Sequence, residues 1–223
     1  MPAAGSGERM GGVRKPFLEL AGEPVLLRAL RPFLDDPRVV GVVVALSADQ
    51  AATPPDWLRA LGPRVVVAPG GATRSQSVRA AIAALPAELD VIAVHDAARP
   101  LVTSEVVASC IDLALEGFGA VAGCPAVDTL KRVGTDGAVI ETPDRASLWH
   151  AQTPQAFPAH VLRSAYADTT AEGTDDAALI ERAASGTVIL MVDAGPFNLK
   201  VTRPLDVTLA EAILRSREAR ENG

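Results

Sequence analysis

Short β-branched segments alternate with amphipathic segments along most of the chain, and this alternation restricts the possible fold more than any other feature of the sequence. Four runs have strand length: VVGVVVAL (39–46), RVVVAP (64–69), VIAVHD (91–96) and AVAGCPA (120–126). Runs of this composition are typical of strands that helices cover on both faces, as in a parallel sheet. The alternation therefore predicts the α/β class with a doubly wound, mostly parallel open sheet, whose ligands bind beyond the carboxyl ends of the strands.

Helical periodicity separates these runs, at 24–34, 73–85 and 103–117. Thr103 is the predicted N-cap of the third helix, and Gly117 is its predicted C-terminal stop. Further elements are predicted towards the C-terminus: helices at 158–168 and 174–185, a strand TVILMVDA (187–194) and a closing helix from about 203. No repeat or long linker interrupts the order, so residues 1–223 are predicted to form a single domain.

The pattern changes after residue 126, where DTLKRVGTDGAVIETPD (128–144) places two extended runs around a glycine-containing turn. This predicts a protruding β-arm at about 127–150. Such an arm either packs on another subunit or is an ordinary surface hairpin.

The composition excludes several classes of protein. Lys and Arg total 21 against 27 Asp and Glu, for a net charge of −6, and no basic patch or tail is evident. A general nucleic-acid binder is therefore not expected. The apolar runs are too short for a membrane span, and no leader-like segment opens the chain, so we expect no membrane association. Cys110 and Cys124 do not have metal-site or disulfide spacing, which fits a reducing cytoplasm.

A glycine-containing loop opens the chain as MPAAGSGERMGGVRKPF. Small residues around Gly5 and Gly7 let the backbone approach phosphates closely, and successive N–H groups can form an anion-binding nest. Arg9 and Lys15 follow, where they could neutralise phosphate charge. The spacing is neither a Walker loop nor a dinucleotide fingerprint, and taken alone the loop is more typical of a plain turn.

Three later clusters follow strands. In PGGATRSQSV (69–78), a tight turn of two glycines after the strand leads into a helix N-terminus, which attracts anions. The alternative is a structural turn with a solvated Arg74. VHDAARP (94–100) places Asp96 at a strand's carboxyl end, where it could hold Mg²⁺ or a hydroxyl. FNLKVTRPLD (197–206) places Lys200 as a point charge for phosphate or as an exposed edge residue.

In chain order, these motifs and DTLKR, LWHAQTPQAF and TDDAALIE resemble one family over essentially the whole chain, the 2-C-methyl-D-erythritol 4-phosphate cytidylyltransferases. The related ribitol 5-phosphate cytidylyltransferases share much of the pattern and stay as the alternative. The resemblance implies a Rossmann-like nucleotidyltransferase fold and a homodimer joined through the β-arm. It also implies transfer of CMP from CTP to a polyol phosphate, with Mg²⁺ and release of pyrophosphate.

The resemblance also implies roles residue by residue. Arg9, Lys15 and Lys200 would act on the reacting phosphates, with Arg14 the alternative to Lys15. The residues implied in nucleotide binding are Ala3, Ala4, Gly5, Gly7, Gly71, Ser77, Asp96 and Ala97. Asp96 would also bind the metal. The residues implied in acceptor binding are Arg99, Thr129, Arg145, Thr153 and Thr174. Thr129 and Arg145 would reach the site of the neighbouring subunit.

Members of the family carry a β-branched strand just before PAAG, whereas here only Met1 precedes Pro2. The first strand is therefore expected to be missing, and one hypothesis is that the true start lies upstream. A chain without that strand could be a nucleotide-binding protein without activity. A nicotinamide-dependent dehydrogenase is disfavoured, because no G-x-G-x-x-G follows a strand.

Overall fold

Two groups of strands form the centre of the protein. The structure is a computed structural model, and it describes residues 1–5, 15–183 and 185–221. One group has the order β10-β6-β9-β5 and the other pairs β3 with β4. The strands are β1 (Glu19–Leu20), β2 (Glu23–Pro24), β3 (Val42–Leu46), β4 (Val65–Pro69), β5 (Val91–Val94), β6 (Gly119–Pro125), β7 (Arg132–Val133), β8 (Val139–Glu141), β9 (Trp149–Pro158) and β10 (Ile189–Asp193).

Helices follow most of the strands, as the alternation of the sequence predicts. They are α1 (Val25–Leu34), α2 (Ala48–Ala52), α3 (Asp56–Arg59), α4 (Arg74–Ala83), α5 (Ser104–Leu115), α6 (Ala159–Ala165), α7 (Asp176–Arg182) and α8 (Pro204–Glu221). Thr103 is the N-cap of α5, where its side chain accepts from the Val106 N–H, and Gly117 follows the helix with a φ of +96°. Both assignments confirm the predicted start and stop of that helix.

The sheet is mixed, because β9 runs antiparallel to both of its neighbours, β5 and β6. The pairs β3–β4 and β6–β10 are parallel, as expected. No strand is predicted at 149–158, because WHAQTPQAFP contains no β-branched run. Seven of its residues are nevertheless buried, and the polar ones among them supply hydrogen bonds to the site described below.

Residues 1–3 join the two strand groups at the amino end of the chain. Pro2 forms a parallel bridge with Ala45 of β3, and the Ala97 N–H, just beyond β5, donates to the Pro2 carbonyl at 3.5 Å. The amine of Met1 donates to the Val43 carbonyl at 2.6 Å. These residues occupy the strand position between β3 and β5, but only at its carboxyl end.

Apolar side chains pack on both faces of the sheet. One cluster joins α1 and α5 to β3 and β6, and includes Leu26, Leu30, Val44 and Ile111. A second lies under α4, α6 and α7, and includes Phe157 and Leu162, both fully buried. With few aromatic residues in the chain, Val, Leu, Ile and Ala build most of this core.

The strands β7 and β8 form a hairpin that pairs with no other described strand. All five residues of these two strands are exposed, among them the apolar side chains of Val133, Val139 and Ile140. The hairpin lies within 127–150, where the sequence predicts the arm.

None of the helices in the described part of the chain is both long enough and apolar enough to cross a bilayer.

The buried amine of Met1 makes stability depend on pH. Burial lowers its pKa from 8.0 to about 5, so between those values the unfolded chain binds a proton that the folded chain does not. The free energy of unfolding therefore falls as the pH is lowered from 8 towards 5, by at most about 4 kcal/mol. Urea unfolding at several pH values measures this decrease.

The control is the same chain acetylated at its α-amine, in which this group cannot titrate. His95, which titrates at lower pH, is common to both chains, so their difference isolates Met1. Identical pH dependence in the two chains would contradict the burial of the amine.

Candidate active site

Ala3 and Ala4 lie against the turn after β4 at the carboxyl end of the sheet. The Gly70 N–H donates to the Leu46 carbonyl at 2.6 Å, which holds the turn at the end of β3. A Cβ on Gly70 would lie 2.7 Å from the Cβ of Ala4, so only glycine allows this approach. Ala3 is fixed next to it by the bond from its N–H to the Ala45 carbonyl. The structure thus brings Ala3 and Ala4 next to the glycine turn.

A capping box organises the turn and starts α4. The Thr73 side chain accepts from the Gln76 N–H, and the Gln76 side chain reaches back to the Thr73 N–H. The Ser77 hydroxyl accepts from the Gly71 N–H at 3.1 Å and donates to the Thr73 carbonyl at 2.9 Å. Ser77 is buried, so in this structure its hydroxyl shapes the turn from within.

Asp96, immediately after β5, lies between two cations. Its Oδ1 is 3.1 Å from Nε of Arg74, and its Oδ2 is 2.7 Å from Nζ of Lys200. Burial by itself would raise the pKa of this carboxyl, but Arg74 and Lys200 outweigh that effect and hold it well below its ordinary value. Asp96 is therefore a carboxylate throughout the physiological pH range.

Arg74 extends this cluster into the interior. Its Nη2 is 2.7 Å from Oδ2 of Asp176, a residue that solvent does not reach. The Tyr166 hydroxyl donates to the other oxygen of Asp176. Burial alone would lower the pKa of Arg74, but the carboxylates of Asp176 and Asp96 outweigh it and raise the pKa. The guanidinium is thus a permanent cation that links α4 to β5 and α7.

His95 and Thr153 hold the backbone of Asp96 through hydrogen bonds in the protein interior. Nε2 of His95 is 3.1 Å from the Arg99 carbonyl, which can only accept, so this nitrogen carries the proton. Burial lowers the pKa of His95 to about 4, so the ring is neutral and its Nδ1 accepts from the Thr153 hydroxyl at 3.0 Å. The same hydroxyl accepts from the Asp96 N–H. Thr153, expected to bind the acceptor, here has its hydroxyl engaged in the protein interior.

Arg99, three residues after Asp96, is a third cation of the site. Its Nη1 donates to the Asn198 carbonyl at 2.7 Å, while its buried Nε, 3.9 Å from Oδ2 of Asp96, has no hydrogen-bond partner among the described residues. The Asn198 amide donates to Gln152 Oε1 and to the Thr153 carbonyl, both at 2.9 Å. Gln152 and Thr153 of β9 thus fix the segment that carries Lys200.

Thr174, which the resemblance assigns to the acceptor, is exposed just before α7. The helix is anchored by Gln155 of β9, whose Oε1 accepts from the N–H groups of Asp176 and Ala177 at 3.0 Å. Its Nε2 donates to Asp175, the N-cap of the helix. Thr174 is therefore connected through its neighbours to Arg74 and Asp96.

The remaining predicted residues divide into three groups. Gly7, Arg9 and Arg14 lie outside the described residues, as does the side chain of Lys15, whose backbone begins a 3₁₀ turn at Lys15–Phe17. Gly5 is exposed and Ala97 is buried against Pro2. Thr129 and Arg145 are exposed near the hairpin, and no hydrogen bond or ion pair found among the described residues joins them to Asp96, Arg99 or Lys200.

Sequence reasoning missed Arg74, Asp176, Gln155 and Asn198. Each acts through a partner distant in sequence: Arg74 and Asp176 are 102 residues apart, and Asn198 and Gln152 are 46 apart. The TDD of TDDAALIE was only a weak signal, because a carboxylate in the first turn of a helix needs a partner when it is buried, as Asp176 is, but not when it is exposed. The sequence alone did not identify that partner.

A metal centre made by the protein alone is not found in the described part of the chain, where no three His, Cys, Asp or Glu side chains are grouped to hold an ion. Asp96 by itself fits Mg²⁺ only in the way that nucleotide enzymes use, with one carboxylate and the remaining ligands from phosphates and water. The carboxylate oxygens of Asp96 are hard, anionic ligands of the kind that Mg²⁺ prefers, but they do not complete its coordination without a polyphosphate.

Among the described residues, none at the centre of the site is placed as a nucleophile for a covalent intermediate. Burial raises the pKa of the Cys110 thiol to about 12, and both ring nitrogens of His95 are bonded within the protein. The described groups suit a different task. Arg74, Arg99 and Lys200 carry three positive charges against the two carboxylates of Asp96 and Asp176. This surplus attracts a polyanion.

Comparison with known proteins agrees with this geometry. A family model described as 2-C-methyl-D-erythritol 4-phosphate cytidylyltransferase matches residues 1–216. The chain belongs to this family. A relative of that name from Symbiobacterium thermophilum is 45% identical over 229 residues, covering 99% of this chain and 93% of the relative. One from Streptomyces coelicolor is 42% identical, covering 97% of this chain and 84% of the relative.

Solved structures of cytidylyltransferases have the same fold. The 2-C-methyl-D-erythritol 4-phosphate cytidylyltransferase of Thermus thermophilus has a TM-score of 0.77 and 33% identity, covering 96% of each chain. The 4-diphosphocytidyl-2C-methyl-D-erythritol synthase of Anaerococcus prevotii has a TM-score of 0.86 and 25% identity, covering 96% of this chain and 93% of that one. The predicted Rossmann-like cytidylyltransferase fold is confirmed.

The buried carboxylate of Asp176 is expected to be essential for stability in this cytidylyltransferase. Asp176→Asn leaves the partly buried Arg74 without its shorter ion pair, which should lower the free energy of unfolding by about 3–5 kcal/mol. The matched control is Glu211→Gln, which breaks the surface Arg215–Glu211 pair of α8 and should cost less than about 1 kcal/mol. Urea denaturation of both variants measures the difference, and equal losses would contradict the assigned role of Asp176.

Proposed function

We propose that this protein transfers CMP from CTP to 2-C-methyl-D-erythritol 4-phosphate, giving 4-diphosphocytidyl-2-C-methyl-D-erythritol and pyrophosphate. The observation that carries the proposal is the position of Asp96, Arg74 and Lys200 beside the glycine turn, at the carboxyl end of a sheet of this family's fold. Membership of the family, whose relatives carry that substrate in their names, supports methylerythritol phosphate over ribitol phosphate as the acceptor.

The reaction is a direct displacement at phosphorus. A phosphate oxygen of the acceptor attacks the α-phosphorus of CTP, the bond from that phosphorus to the bridging oxygen breaks, and the electron pair leaves with pyrophosphate. The protein's task is to position two polyanions and to stabilise the charge that develops between them. The surplus of cations around Asp96 fits this mechanism, as does the lack of a suitably placed nucleophile among the residues that the structure describes there.

On the nucleotide side, backbone groups of the opening loop and the glycine turn would hold CTP. Ala3 and Ala4 would lie near the cytosine, Gly5 and Gly7 near the phosphates, and Gly71 and Ser77 at the base. Ala97 would complete this wall next to Asp96. The contact of Ala4 with Gly70 supports the assignment, because it places the loop and the turn on one surface.

On the phosphate side, Arg9, Lys15 and Lys200 would neutralise the triphosphate and the transition state. Asp96 would hold Mg²⁺ together with the phosphates, and the ion would supply further neutralisation of the triphosphate charge. Lys200 supports this arrangement, since its side chain is partly exposed and it already ion-pairs with Asp96 at 2.7 Å. It could therefore exchange the carboxylate for a phosphate.

On the acceptor side, Arg99, Thr153 and Thr174 would bind the polyol phosphate from this chain, and Thr129 and Arg145 would do so from the neighbouring subunit. The exposed apolar side chains of Val133, Val139 and Ile140 in the hairpin support a homodimer formed through this arm, because they need a partner to leave water. The use of CTP and the two free cysteines fit a cytoplasmic enzyme.

The reaction itself is tested by measuring pyrophosphate released from CTP and Mg²⁺ with each of two acceptors. We expect release only when 2-C-methyl-D-erythritol 4-phosphate is present, and much slower release with ribitol 5-phosphate. Equal or faster reaction with ribitol 5-phosphate would reassign the acceptor. Binding of CTP without any release would make the chain a nucleotide-binding protein.

Removing either lysine should slow the chemical step. Lys200→Ala or Lys15→Ala is expected to lower kcat by roughly two to four decades, because each removes a cation from the developing charge. Arg215→Ala, which removes an exposed cation of α8, is the control and should retain full activity. Near-normal turnover in both lysine variants would contradict their assigned roles.

A shared active site can be tested by mixing two inactive variants. Lys200→Ala damages the site of its own subunit, and Arg145→Ala damages the site of the partner. A dimer with one copy of each has one intact site, so random mixing should restore roughly a quarter of the wild-type activity. Co-purification with two different tags confirms that mixed dimers form, and mixed dimers without activity would contradict the shared site.

A further inference from the structure

The chain between α6 and α7, called here the α6–α7 segment (166–174), leads to Thr174 and lies along α4. Residues 167–170 of this segment are all exposed, so the packing of apolar side chains contributes little to holding them in place. Polar contacts with α4 hold the segment instead. These contacts are made by side chains that the motifs of the sequence do not explain.

Arg79 of α4 makes most of these contacts. Its Nε donates to the Tyr166 carbonyl at 3.1 Å, and its Nη2 donates to the carbonyls of Asp168 and Ala171 at 2.8 and 3.3 Å. The guanidinium also lies 5.8 Å from the centre of the Tyr166 ring. Tyr166 is the C-cap of α6, and the last carbonyls of a helix have no partner within it. The rigid fork of an arginine can bond several such carbonyls in one fixed geometry.

Two further contacts continue from there towards Thr174. The Thr73 hydroxyl donates to Oε1 of Glu172 at 2.8 Å, and the Gly173 N–H donates to Oγ of Ser75 at 3.4 Å. Thr73 is also the N-cap of α4, directly after the glycine turn. The helix that begins at the glycine turn therefore holds the α6–α7 segment as far as the residue before Thr174.

We propose that Arg79 is a positioning residue for the acceptor, which sets the affinity for the polyol phosphate by fixing Thr174 and contacts neither substrate. This role rests on the proposed function, in which Thr174 binds that phosphate. Gln155 fixes the chain after Thr174 through Asp175, and Arg79 fixes the chain before it. Ordering a mobile segment at the moment of binding costs conformational entropy. Arg79 reduces that cost because it orders the segment before the acceptor arrives.

The nucleotide side does not depend on Arg79 in the same way. The glycine turn and the start of α4 are fixed by their own contacts, which are the capping box of Thr73 and Gln76 and the bonds of Ser77 to Gly71 and Thr73. Loss of the Arg79 side chain leaves all of these contacts in place. The effect of the loss should therefore fall on the acceptor and spare CTP.

The kinetic test compares Arg79→Ala and Arg79→Lys with the wild type in pyrophosphate release. We expect Arg79→Ala to raise KM for 2-C-methyl-D-erythritol 4-phosphate roughly tenfold, while KM for CTP and kcat change less than about twofold. Arg79→Lys keeps the charge but loses the fork, so it should restore only part of that affinity. The control is Arg64→Ala, because Arg64 likewise donates to main-chain carbonyls, those of Leu34 and Val39, and its loss should change none of these constants.

Hydrogen exchange measures the order of the α6–α7 segment directly and needs no catalysis. In Arg79→Ala, the amide hydrogens of Ala171 and Gly173 should exchange roughly tenfold faster, because their bonds within the segment and to α4 depend on its position. The amide hydrogen of Ala177, which bonds to Gln155, is the internal control and should exchange at an unchanged rate.

An unchanged acceptor KM or unchanged exchange in Arg79→Ala would overturn the proposal. Full restoration by Arg79→Lys would overturn it as well, since charge alone would then explain the effect, and so would an equal rise of KM for both substrates, which indicates general damage. A wild-type chain that releases no pyrophosphate with either acceptor would refute the proposed function instead. In that case the exchange measurement alone decides whether Arg79 orders the segment.

Discussion

The carboxylate of Asp96 is the interaction on which the rest of the site depends. Taking it out of water is costly, and the cost is offset only because Arg74 and Lys200 approach its two oxygens from different parts of the chain. Arg74 in turn requires Asp176, and Asp176 requires Tyr166 for its second oxygen. The charges form a connected chain, so the loss of one member leaves another buried without a partner.

One element, the antiparallel strand β9, holds the start of α7, Asp96 and the segment that carries Lys200. Gln155 bonds the start of α7, and with it the segment next to Thr174. Thr153 supports Asp96, and Gln152 supports Asn198, two residues before Lys200. Polar side chains in the middle of a sheet are tolerated here because each has found partners. Asp96, the segment before Lys200 and the start of α7 are therefore positioned by three side chains of one strand.

The short N-terminal segment connects the two strand groups to this site. Pro2 bridges to Ala45 of β3, its carbonyl accepts from the Ala97 N–H, and Ala4 lies against Gly70. The contact between the strand groups and the position of Ala4 therefore depend on the same few residues. The amine of Met1 is buried in this segment, and burial lowers its pKa to about 5.

The sequence by itself determined the α/β alternation, the positions of most helices, the cap at Thr103 and the motifs that place Asp96 and Lys200 in the site. These follow from local properties: periodicity, turn chemistry and the residue types next to strand ends. Only the tertiary structure decided that β9 is a strand, that Arg74 joins Asp96 to Asp176, and that the hydroxyls of Ser77 and Thr153 bond within the protein. Each of these depends on partners far apart in the chain. The physical reason is that buried polar groups are selected by the partners that satisfy them, and those partners are brought together only by folding.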